Sequence, residues 1–472
     1  MLVRSAKQGA FRGCQPGRLA GFPESRTSNG WMAVAKRHEF VIFRARGDFR
    51  PPARMSVRTP RAARGPPLHR RGPRSIDHLQ RRYPMARLRA QPFVPPRIAR
   101  RIATLVATAA LLLGGTAFAE PGVDNDTVVL GHTGALSGPL AELNKEYIGG
   151  ANLYFNQVNE RGGVNGRRIR LVTLDDAYDP NRAAENTQAL VFQHKVFALF
   201  ASFGTGPSLQ AAQVATTARI PLFAPYSGAE SLREPRNPYV FHVRASYAQE
   251  VEKIVDHLTK VGVKSIGIVH HADPFGQAGY DAARAALAKR DLTPAVVAPI
   301  ESSGADAVET VRKIVSVSPA AVIMITAGES SSVFLRLLQE SPVQPMVYGL
   351  SVISSTQLVR DLGEKAHGLV VAQVMPSPFR IDYPFVREYR QAAQANNVPL
   401  SYASLEGYVA ARSFTEALRR GGRDLTRERL IAALESMGDW DVGGMNLAFS
   451  SRRNVGMDYV DLAVISRGSF GR

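Results

Sequence analysis

The chain has 472 residues and a formal net charge of +19 at pH 7, a balance that first suggests binding to nucleic acid or to an anionic membrane. The charge is confined to one end, because residues 1–119 hold 24 Lys and Arg against 4 Asp and Glu, whereas residues 120–472 hold 35 against 36. The larger region lacks the basic footprint that binding to a phosphate backbone requires, so we expect no nucleic-acid partner.

The first 84 residues are rich in Arg, Pro and Gly and show no sustained hydrophobic period, so they are not expected to form a core. Two interpretations are open for residues 1–84: an over-extended gene model whose true start is Met85, or a disordered extension that is translated. The single cysteine of the sequence, Cys14, lies in this segment. The rest of the chain therefore cannot form an internal disulfide.

Residues 85–119 have the organisation of a secretory signal peptide. Basic residues up to Arg101 precede an apolar run over residues 102–118, and an Ala-Phe-Ala cleavage motif ends at Ala119. A membrane anchor is the alternative, although an apolar run of about seventeen residues with two adjacent glycines is near the lower limit for a span. We expect cleavage after Ala119 and a soluble periplasmic protein, since no cysteine follows that could carry a lipid.

The first predicted elements after the leader form a strand, a helix and a second strand. Val128–Leu130 is a β-branched and apolar run, apolar residues then recur at roughly helical spacing, and Ile169–Leu174 again favours a strand. Gly162-Gly163 ends the predicted helix, and Asn165-Gly166 is typical of a tight turn. Such a unit implies a parallel sheet with helices on its faces. Ligands of such sheets bind at the carboxyl ends of the strands.

The same alternation continues along most of the chain and predicts an α/β fold. Apolar runs predict buried strands at residues 196–202, 221–225, 265–270, 295–300, 320–326, 346–350 and 368–374. Helical patterns lie at residues 248–261, 277–290, 307–317 and 332–340. A region of about 353 residues exceeds what one core usually holds, so two domains are expected.

Three motifs, in a fixed order, carry a resemblance to a known family. They are Gly134-Ala135-Leu136-Ser137-Gly138-Pro139 after the first strand, the run from Asn159 to Arg167, and Asp175-Asp176 at the end of the second strand. From about Asp126 to the C-terminus, the sequence resembles the type I periplasmic binding proteins of ABC transporters, in particular the branched-chain amino-acid branch. The resemblance implies a small-molecule ligand, ABC permease and ATPase subunits as partners, a monomer and no cofactor.

The resemblance also implies two Rossmann-like lobes with parallel sheets, joined by a hinge that the chain crosses three times. The crossings are expected near Arg244–Tyr247, Gln373–Pro376 and Ser451–Met457. One lobe would comprise residues 120–245 and 376–450, and the other would comprise residues 246–375 and 451–472. Bending at the crossings would close the cleft around a ligand.

One lobe of the relatives grips a carboxylate with a hydroxyl and with backbone groups from loops at strand ends. In this sequence Thr205 stands at the hydroxyl position, with helix capping as its alternative role. Gly228 stands where a Thr is usual, so Ser227 is expected to replace that hydroxyl, and Tyr226 is expected either to stack on the ligand or to lie in the core. The ligand-binding residues predicted for this lobe are Ser137, Ser202, Thr205, Tyr226, Ser227 and Gly228.

The resemblance predicts four further site residues in the other lobe. Phe275 and Ala327 stand where relatives have tyrosines, so Phe275 keeps a stacking surface and loses the hydroxyl. Ser351 matches the glutamate that pairs with the α-ammonium of the ligand in amino-acid binders. Because an ammonium buried without a carboxylate is costly, either Glu329 or another acid replaces that glutamate, or the ligand has no ammonium.

We find no catalytic constellation in the sequence and expect no enzyme, since G-x-S-x-G, phosphate-loop and H-E-x-x-H motifs are absent. The run His270-His271-Ala272-Asp273 suggests a metal cluster, but adjacent residues of a strand face opposite sides, so we interpret the histidines as structural and expect no metal. Asp175 and Asp176 are interpreted as carboxylates that position loops.

The expected function is capture of a small carboxylate-bearing solute for an ABC importer, with a periplasmic ligand-sensing receptor as the alternative. Hydroxyl and backbone groups near Thr205 would bind an anion, and Phe275 would supply an aromatic wall. Such a pocket suits an amide, a keto acid or an aromatic acid better than a zwitterion. The alternative amino-acid ligand would need Glu329 or Glu230 to supply the missing carboxylate.

We predict that deleting residues 1–119 leaves the melting temperature of the protein unchanged, because the charge and the composition both change at Ala119. Thermal unfolding of the full chain and of residues 120–472 would be compared. A melting temperature lowered by several degrees in the shorter chain would mean that the leader is part of the fold.

Overall fold

The computed structural model describes residues 25–26, 31–36, 39–44, 120–353, 355–466 and 469–470. Contacts divide the chain into two units, Met1–Val94 and Pro95–Arg472. In the first unit, three antiparallel strands lie in the order β1 (Ser25–Arg26), β2 (Trp31–Lys36) and β3 (Glu39–Arg44).

The composition of residues 1–84 predicted no packed core and did not indicate these three strands. The local sequences of β2 and β3 are rich in aromatic and β-branched residues, which favour strands whatever the surrounding composition. The predicted start at Met85 and the predicted signal peptide over 85–119 lie outside the described residues.

The second unit begins with a parallel five-stranded sheet, called sheet A. Its strands are β4 (Thr127–Gly134), β5 (Arg168–Asp175), β6 (Ala198–Phe200), β7 (Leu222–Phe223) and β8 (Val240–Phe241), in the order β5-β4-β6-β7-β8. The helices between these strands are α1 (Ala141–Glu160), α2 (Pro180–Gln188), which a π-helical turn at Ala189–Gln193 extends, and α3 (Thr205–Ala218). The predicted strand–helix–strand unit is confirmed as β4, α1 and β5. The turn residues Asn165 and Gly166 both have positive φ, at 52° and 87°.

A second sheet, called sheet B, follows along the chain. Its parallel part consists of β9 (Ile266–His271), β10 (Val296–Ile300), β11 (Ala321–Ile325), β12 (Met346–Gly349) and β13 (Val370–Gln373), in the order β10-β9-β11-β12-β13. The helices of this part are α4 (Tyr247–Lys260), α5 (Pro274–Ala288), α6 (Ala307–Val317), α7 (Glu329–Gln339) and α8 (Ser355–Leu362). The predicted strands and helices of sheet B are confirmed to within three residues at either end, and the predicted strands of sheet A to within four.

The C-terminal part of the chain returns to both sheets. Helices α9 (Pro384–Ala395) and α10 (Tyr402–Gly421) pack beside α1, and α11 (Arg427–Glu435) packs on α10. A hairpin of β14 (Gly438–Asp441) and β15 (Asn446–Phe449) follows. Strands β16 (Asp461–Ser466) and β17 (Ser469–Phe470) then extend sheet B with antiparallel pairing to β13 and to each other. Sheet B is therefore mixed, with five parallel strands and an antiparallel edge. None of the helices that the structure describes combines the length and the hydropathy needed to cross a bilayer.

Two lobes result, each named after its sheet. Lobe A is built on sheet A with α1–α3 and α9–α11, and lobe B is built on sheet B with α4–α8. Within the described residues, the chain passes between the lobes at 242–246, at 374–383 and at 450–460. The first and third passages lie side by side, because Gly456 N donates to His242 O at 2.7 Å and Met457 N donates to Val243 O at 3.1 Å. The fold is therefore α/β with two lobes and a three-stranded connection.

Helices α1 and α10 of lobe A touch through their backbones. A Cβ placed on Gly150 would lie 1.7 Å from the carbonyl oxygen of Ser404, and a Cβ on Gly407 would lie 1.8 Å from that of Tyr147. The neighbouring Gly149 has open space around the same position. The approach of the two helices thus depends on glycine at 150 and 407.

We predict that Gly150→Ala lowers the free energy of unfolding by about 2 kcal/mol or more, because the added methyl group forces the two helix backbones apart. Gly149→Ala is the matched control. It should raise the free energy of unfolding by roughly 0.5–1 kcal/mol, since alanine stabilises a helix relative to glycine and meets no neighbour there. Urea denaturation of both variants measures the difference, and equal effects would contradict the close contact of α1 with α10.

Candidate functional site

A small pocket lies where the carboxyl ends of the two sheets face each other. Its empty volume, which includes space open to solvent, is about 250 Å³. Its lining residues are Leu140, Leu143, Tyr178, Phe203, Gly204, Thr205, Tyr226, Tyr247, Phe275, Ala327 and Val352. Lobe A supplies Leu140 to Tyr226, lobe B supplies Phe275, Ala327 and Val352, and Tyr247 begins the helix after the first passage between the lobes. The sequence predicted Thr205, Tyr226, Phe275 and Ala327 as site residues, and the structure places these four in the pocket.

Aromatic rings form most of the wall. Tyr226 stacks on Phe203 with ring centroids 5.3 Å apart and planes 7° apart, Tyr178 meets Phe203 edge-on at 6.4 Å, and Tyr247 meets Phe275 edge-on at 5.4 Å. Burial raises the pKa of all three tyrosines above the ordinary value, so their hydroxyls remain neutral. None of the lining residues carries a carboxylate, an amine, a guanidinium or an imidazole. The wall is therefore uncharged.

A pair of buried hydroxyls lies at the start of α3. Thr205 Oγ1 and Ser227 Oγ are 2.8 Å apart, and Ser227 Oγ also accepts from Ala229 N at 3.2 Å. Gly204 precedes the helix with a φ of 85°, and a Cβ there would lie 2.2 Å from the ring of Tyr178. Glycine is needed at 204 both for the turn and for the position of that ring.

Ser202 lies just before this loop and is buried outside the pocket. Its hydroxyl pairs with Ser208 Oγ at 2.9 Å, and Ser208 Oγ donates to Ser202 O at 3.1 Å. The contacts of Ser202 therefore tie it to the first turn of α3, although no side-chain hydrogen bond caps that helix.

Two adjacent carboxylates hold the loops that border the pocket. Asp175 accepts from Ser137 Oγ at 2.7 Å and from Leu136 N at 2.8 Å, whereas Asp176 accepts from Thr133 Oγ1 and Tyr178 N, both at 2.8 Å. The interpretation that these acids position loops is confirmed. Ser137 is exposed and lies outside the lining, where it fixes its own turn.

These hydrogen bonds affect the two carboxyl groups differently. Burial acts to raise the pKa of Asp175, but the bonds from Ser137, Leu136 and Ala177 outweigh it and lower the pKa to about 2. Deeper burial raises the pKa of Asp176 to about 6, against the bonds from Tyr178 and Thr133. At neutral pH both groups are therefore mainly carboxylates that accept hydrogen bonds.

Gly228 makes room for one of the rings. Its carbonyl oxygen accepts from Tyr247 N at 2.7 Å, and a Cβ on Gly228 would lie 2.6 Å from Cδ1 of Tyr247. The glycine that replaces the family's usual threonine at this position thus accommodates Tyr247.

The sequence analysis did not predict Tyr247, Tyr178 or Phe203 as site residues, because single aromatic residues at strand and helix ends carry no periodic signal. The signal that could have indicated these three residues is their position beside predicted strand ends and chain crossings.

The remaining predicted residues of lobe B lie outside the pocket. Glu329 is the first residue of α7 and is exposed, and Glu230 is exposed as well. Ser351 is 6% exposed and hydrogen-bonds through its N and its Oγ to the carboxylate of Glu250, at 2.7 Å and 3.0 Å. Its neighbour Val352 lines the pocket instead.

Ser351 belongs to a buried ionic cluster that the sequence did not reveal. The guanidinium of Arg244 donates to Ser351 Oγ, and it lies 3.5 Å from Glu250 Oε1 and 3.6 Å from Glu406 Oε1. Burial raises the pKa of Glu406 to about 7 and also raises the pKa of Glu250, while Arg244 acts against both shifts. Acidic residues on otherwise buried helix faces were the signal that could have indicated this cluster.

The predicted structural role of the histidines agrees with their contacts. His271 is buried, with Nε2 at 2.7 Å from Ser330 Oγ and Nδ1 at 3.6 Å from Asp273 Oδ2. Asp273 caps α5 by accepting from Gly276 N at 2.8 Å. Across the residues that the structure describes, no group of three or more His, Cys, Asp or Glu side chains is placed to hold a metal ion.

The two lobes touch at the rim of the pocket. Gly328, which precedes α7 in lobe B, has a φ of 64°, and a Cβ there would lie 2.4 Å from the carbonyl oxygen of Pro139 and 2.7 Å from Cδ2 of Leu140 in lobe A. A backbone approach this close across the cleft means that the structure has the lobes closed. Any larger residue at 328 would collide with lobe A in this state.

A pocket at the carboxyl ends of two sheets, between lobes that the chain connects three times, defines a two-lobed binding protein. The chain belongs to the periplasmic binding protein family, whose model matches residues 127–469. It is a type I member of the branched-chain amino-acid branch, as the motifs after β4 and α1 indicated. Family members are substrate-binding proteins.

Several known proteins are similar to this chain. The structure of a possible leucine/isoleucine/valine-binding protein from Rhodopirellula baltica SH 1 is 30% identical with a TM-score of 0.70, and the match covers 75% of this chain and 97% of that one. A substrate-binding periplasmic protein from Ralstonia solanacearum is 30% identical with a TM-score of 0.68, covering 72% and 98%. An amino acid binding protein from Pseudomonas aeruginosa is 31% identical over 163 residues, which are 34% of this chain and 44% of that protein.

We predict that Gly328→Ala weakens ligand binding by at least about tenfold, because the added methyl group collides with Pro139 only when the lobes close. Gly363→Ala in lobe B is the matched control, since Gly363 also has a positive φ, 54°, but has no neighbour within 4 Å of a Cβ. Both changes introduce backbone strain, and only the first obstructs closure. Calorimetric titration with the tightest ligand found by thermal shift measures the difference, and equal losses of affinity would refute the closing contact.

Proposed function

We propose that this protein is the extracytoplasmic solute-binding component of an ABC importer and that it captures a small carboxylate-bearing solute in the pocket between its lobes. The observation that carries the proposal is the uncharged, aromatic pocket between the lobes, with the Thr205 and Ser227 hydroxyls at its edge. A ligand there would be contacted by both lobes, which suits capture and delivery. In this role the protein performs no chemical reaction on its ligand.

The ligand class follows from what the wall offers. Tyr226 and Tyr247 carry neutral hydroxyls that can donate to an oxygen, whereas the Tyr178 hydroxyl donates to Asp273. Phe275 and Phe203 provide apolar surface. Thr205 lies in the first turn of α3, where the helix dipole favours an anion. An ammonium would find no carboxylate in this wall, and burying it unpaired would cost several kcal/mol. The pocket therefore favours a keto acid, an amide or an aromatic acid over a zwitterionic amino acid.

The ten residues predicted from the sequence divide between two roles in this proposal. Thr205, Tyr226, Phe275 and Ala327 would contact the ligand, and Ser227 would orient the Thr205 hydroxyl. Ser137, Ser202, Gly228 and Ser351 would hold the loops and rings in place. Glu329 would lie at the rim and leave the ligand without a carboxylate partner.

Closure would occur by bending where the chain passes between the lobes. The moving bodies would be residues 120–245 with 376–450 and residues 246–375 with 451–472. The Gly328 contact and the paired segments around His242 and Gly456 support this division. The closed monomer would then dock on an inner-membrane permease with its ATPase, after export to the periplasm and cleavage near Ala119. The names of the relatives from R. baltica and R. solanacearum are consistent with such a role.

A periplasmic ligand-sensing receptor is the second candidate, since the same closed pocket would serve signalling as well as transport. The two functions differ in the partner of the closed form. Stimulation of the ATPase of a reconstituted permease by the liganded protein would favour the importer, and binding to a sensor protein without such stimulation would favour the receptor.

We expect thermal-shift screening of the purified protein to show stabilisation by the keto acids of leucine, isoleucine and valine or by simple aromatic acids, and no stabilisation by the amino acids themselves. Thr205→Val, which keeps the shape and removes the hydroxyl, should weaken the best ligand by roughly tenfold, the loss of about one hydrogen bond to a charged group. Thr217→Val, on the exposed end of α3, is the control and should change nothing.

Micromolar binding of leucine that Glu329→Gln abolishes and Ser351→Ala leaves intact would overturn the ligand assignment, because it would place a carboxylate partner at Glu329. A protein stabilised by none of these solutes would count against small-carboxylate capture altogether.

A further inference from the structure

Directly beneath the aromatic wall, two acidic side chains face one basic side chain. Arg244 is 1% exposed, Glu250 is 0% exposed and Glu406 is 3% exposed. The guanidinium carbon of Arg244 lies 4.6 Å from the ring centroid of Tyr226 and 5.9 Å from that of Tyr247. Both rings line the pocket, so this cluster forms the layer behind the pocket floor.

The cluster joins elements of both lobes. Arg244 lies in the first passage between the lobes, Glu406 projects from α10 of lobe A, and Glu250 projects from α4 of lobe B with Ser351 beside it. Arg233 is the other basic side chain close to these carboxylates. Its Nη2 lies 3.1 Å from Ser227 O and 3.3 Å from Arg244 O, whereas its Nε and Nη1 have no hydrogen-bond partner among the described residues. Arg244 is thus the cation that contacts both carboxylates directly.

Arg244 already occupies the position between the two carboxylates. Glu250 is satisfied by the N and Oγ of Ser351. Nε of Arg244 lies 3.6 Å from Glu406 Oε1, and Nη1 has no hydrogen-bond partner among the residues that the structure describes. A buried N–H group without a partner favours the approach of an oxygen acceptor and disfavours a second donor. The guanidinium between the carboxylates and its unpaired Nη1 therefore both disfavour an added ammonium group.

We propose that Arg244 is the specificity-determining residue of this pocket: it takes the place opposite Glu250 and Glu406 that a ligand cation would otherwise fill, and so restricts the ligand to solutes without an ammonium. This inference rests on the proposed function and names the residue that sets its ligand class. Arg244 acts from behind Tyr226 and Tyr247 without lining the pocket. Removing its charge would leave two buried carboxylates whose compensation a ligand or a small cation could supply.

The test compares leucine with its keto acid, which differ at the α-carbon by ammonium against carbonyl. In Arg244→Ala, truncation opens space beside two unpaired carboxylates, and the ratio of leucine affinity to keto-acid affinity should rise at least about tenfold. Low, non-denaturing concentrations of guanidinium ion should also raise the melting temperature of this variant and leave that of the wild type unchanged. Arg236→Ala, which breaks the partly exposed pair with Glu435, is the control and should show neither effect.

A second variant extends the test to the opposite charge. Glu250→Gln with Glu406→Gln leaves Arg244 unpaired, so the affinity ratio should shift towards the keto acid by at least about tenfold. If Arg244→Ala does not fold, this double variant alone tests whether Arg244 sets the ligand preference. An unchanged ratio in the folded variants, or a shift in the reverse direction, would overturn the role of Arg244. Absence of binding by the wild type to any of these solutes would instead refute the proposed function, while rescue by guanidinium would still report on the cluster.

Discussion

The closed site depends on the placement of one guanidinium between two buried carboxylates. Arg244 meets Glu406 of lobe A and Glu250 of lobe B at the point where the chain first passes from one lobe to the other. Carboxylates buried without a cation would be strongly destabilising, since the charge of each is desolvated. The same arginine lies against Tyr226 and Tyr247, so the floor of the pocket rests on it. The cluster of Arg244, Glu250 and Glu406 therefore compensates buried charge, connects the two lobes and supports the pocket floor.

Above that floor, the pocket is built by loops that leave the carboxyl ends of strands. Asp175 and Asp176 end β5, and their hydrogen bonds hold the turn after β4 and the backbone of Tyr178. Gly204 and Gly228 lie close to Tyr178 and Tyr247, where side chains would displace the rings. Two carboxylates and two glycines thus position aromatic groups that themselves make no periodic pattern in the sequence.

Closure is limited by contact between backbones. Gly328 of lobe B approaches Pro139 of lobe A so closely that no side chain fits between them. Inside lobe A, α1 and α10 meet in the same way through Gly150 and Gly407. Contacts of this kind are short-range, so they discriminate sharply between the closed and open arrangement of the lobes.

Much of the fold could be predicted because its signals are local. Buried strands such as β9 and β11 are short apolar runs, helices such as α6 repeat apolar residues at helical spacing, and the Asn165-Gly166 turn requires positive φ. Prediction was weaker for β1–β3, where composition outweighed short strand-forming segments, and for the antiparallel edge β16–β17, whose pairing partner β13 is distant in sequence. Four of the ten predicted site residues line the pocket because strand-end loops converge in any parallel sheet.

The sequence by itself determined the elements, the order of the motifs after β4 and α1, and the absence of a glutamate at Ser351. Only the tertiary structure decided what stands beside Ser351, because Arg244 is separated from it by 107 residues and Glu250 by 101. It also decided which aromatic rings form the wall, since Tyr178, Phe203 and Tyr247 come from separate segments of the chain. Local conformation follows from neighbouring residues, whereas charge pairing and ring contacts depend on distances that exist only after the chain has folded.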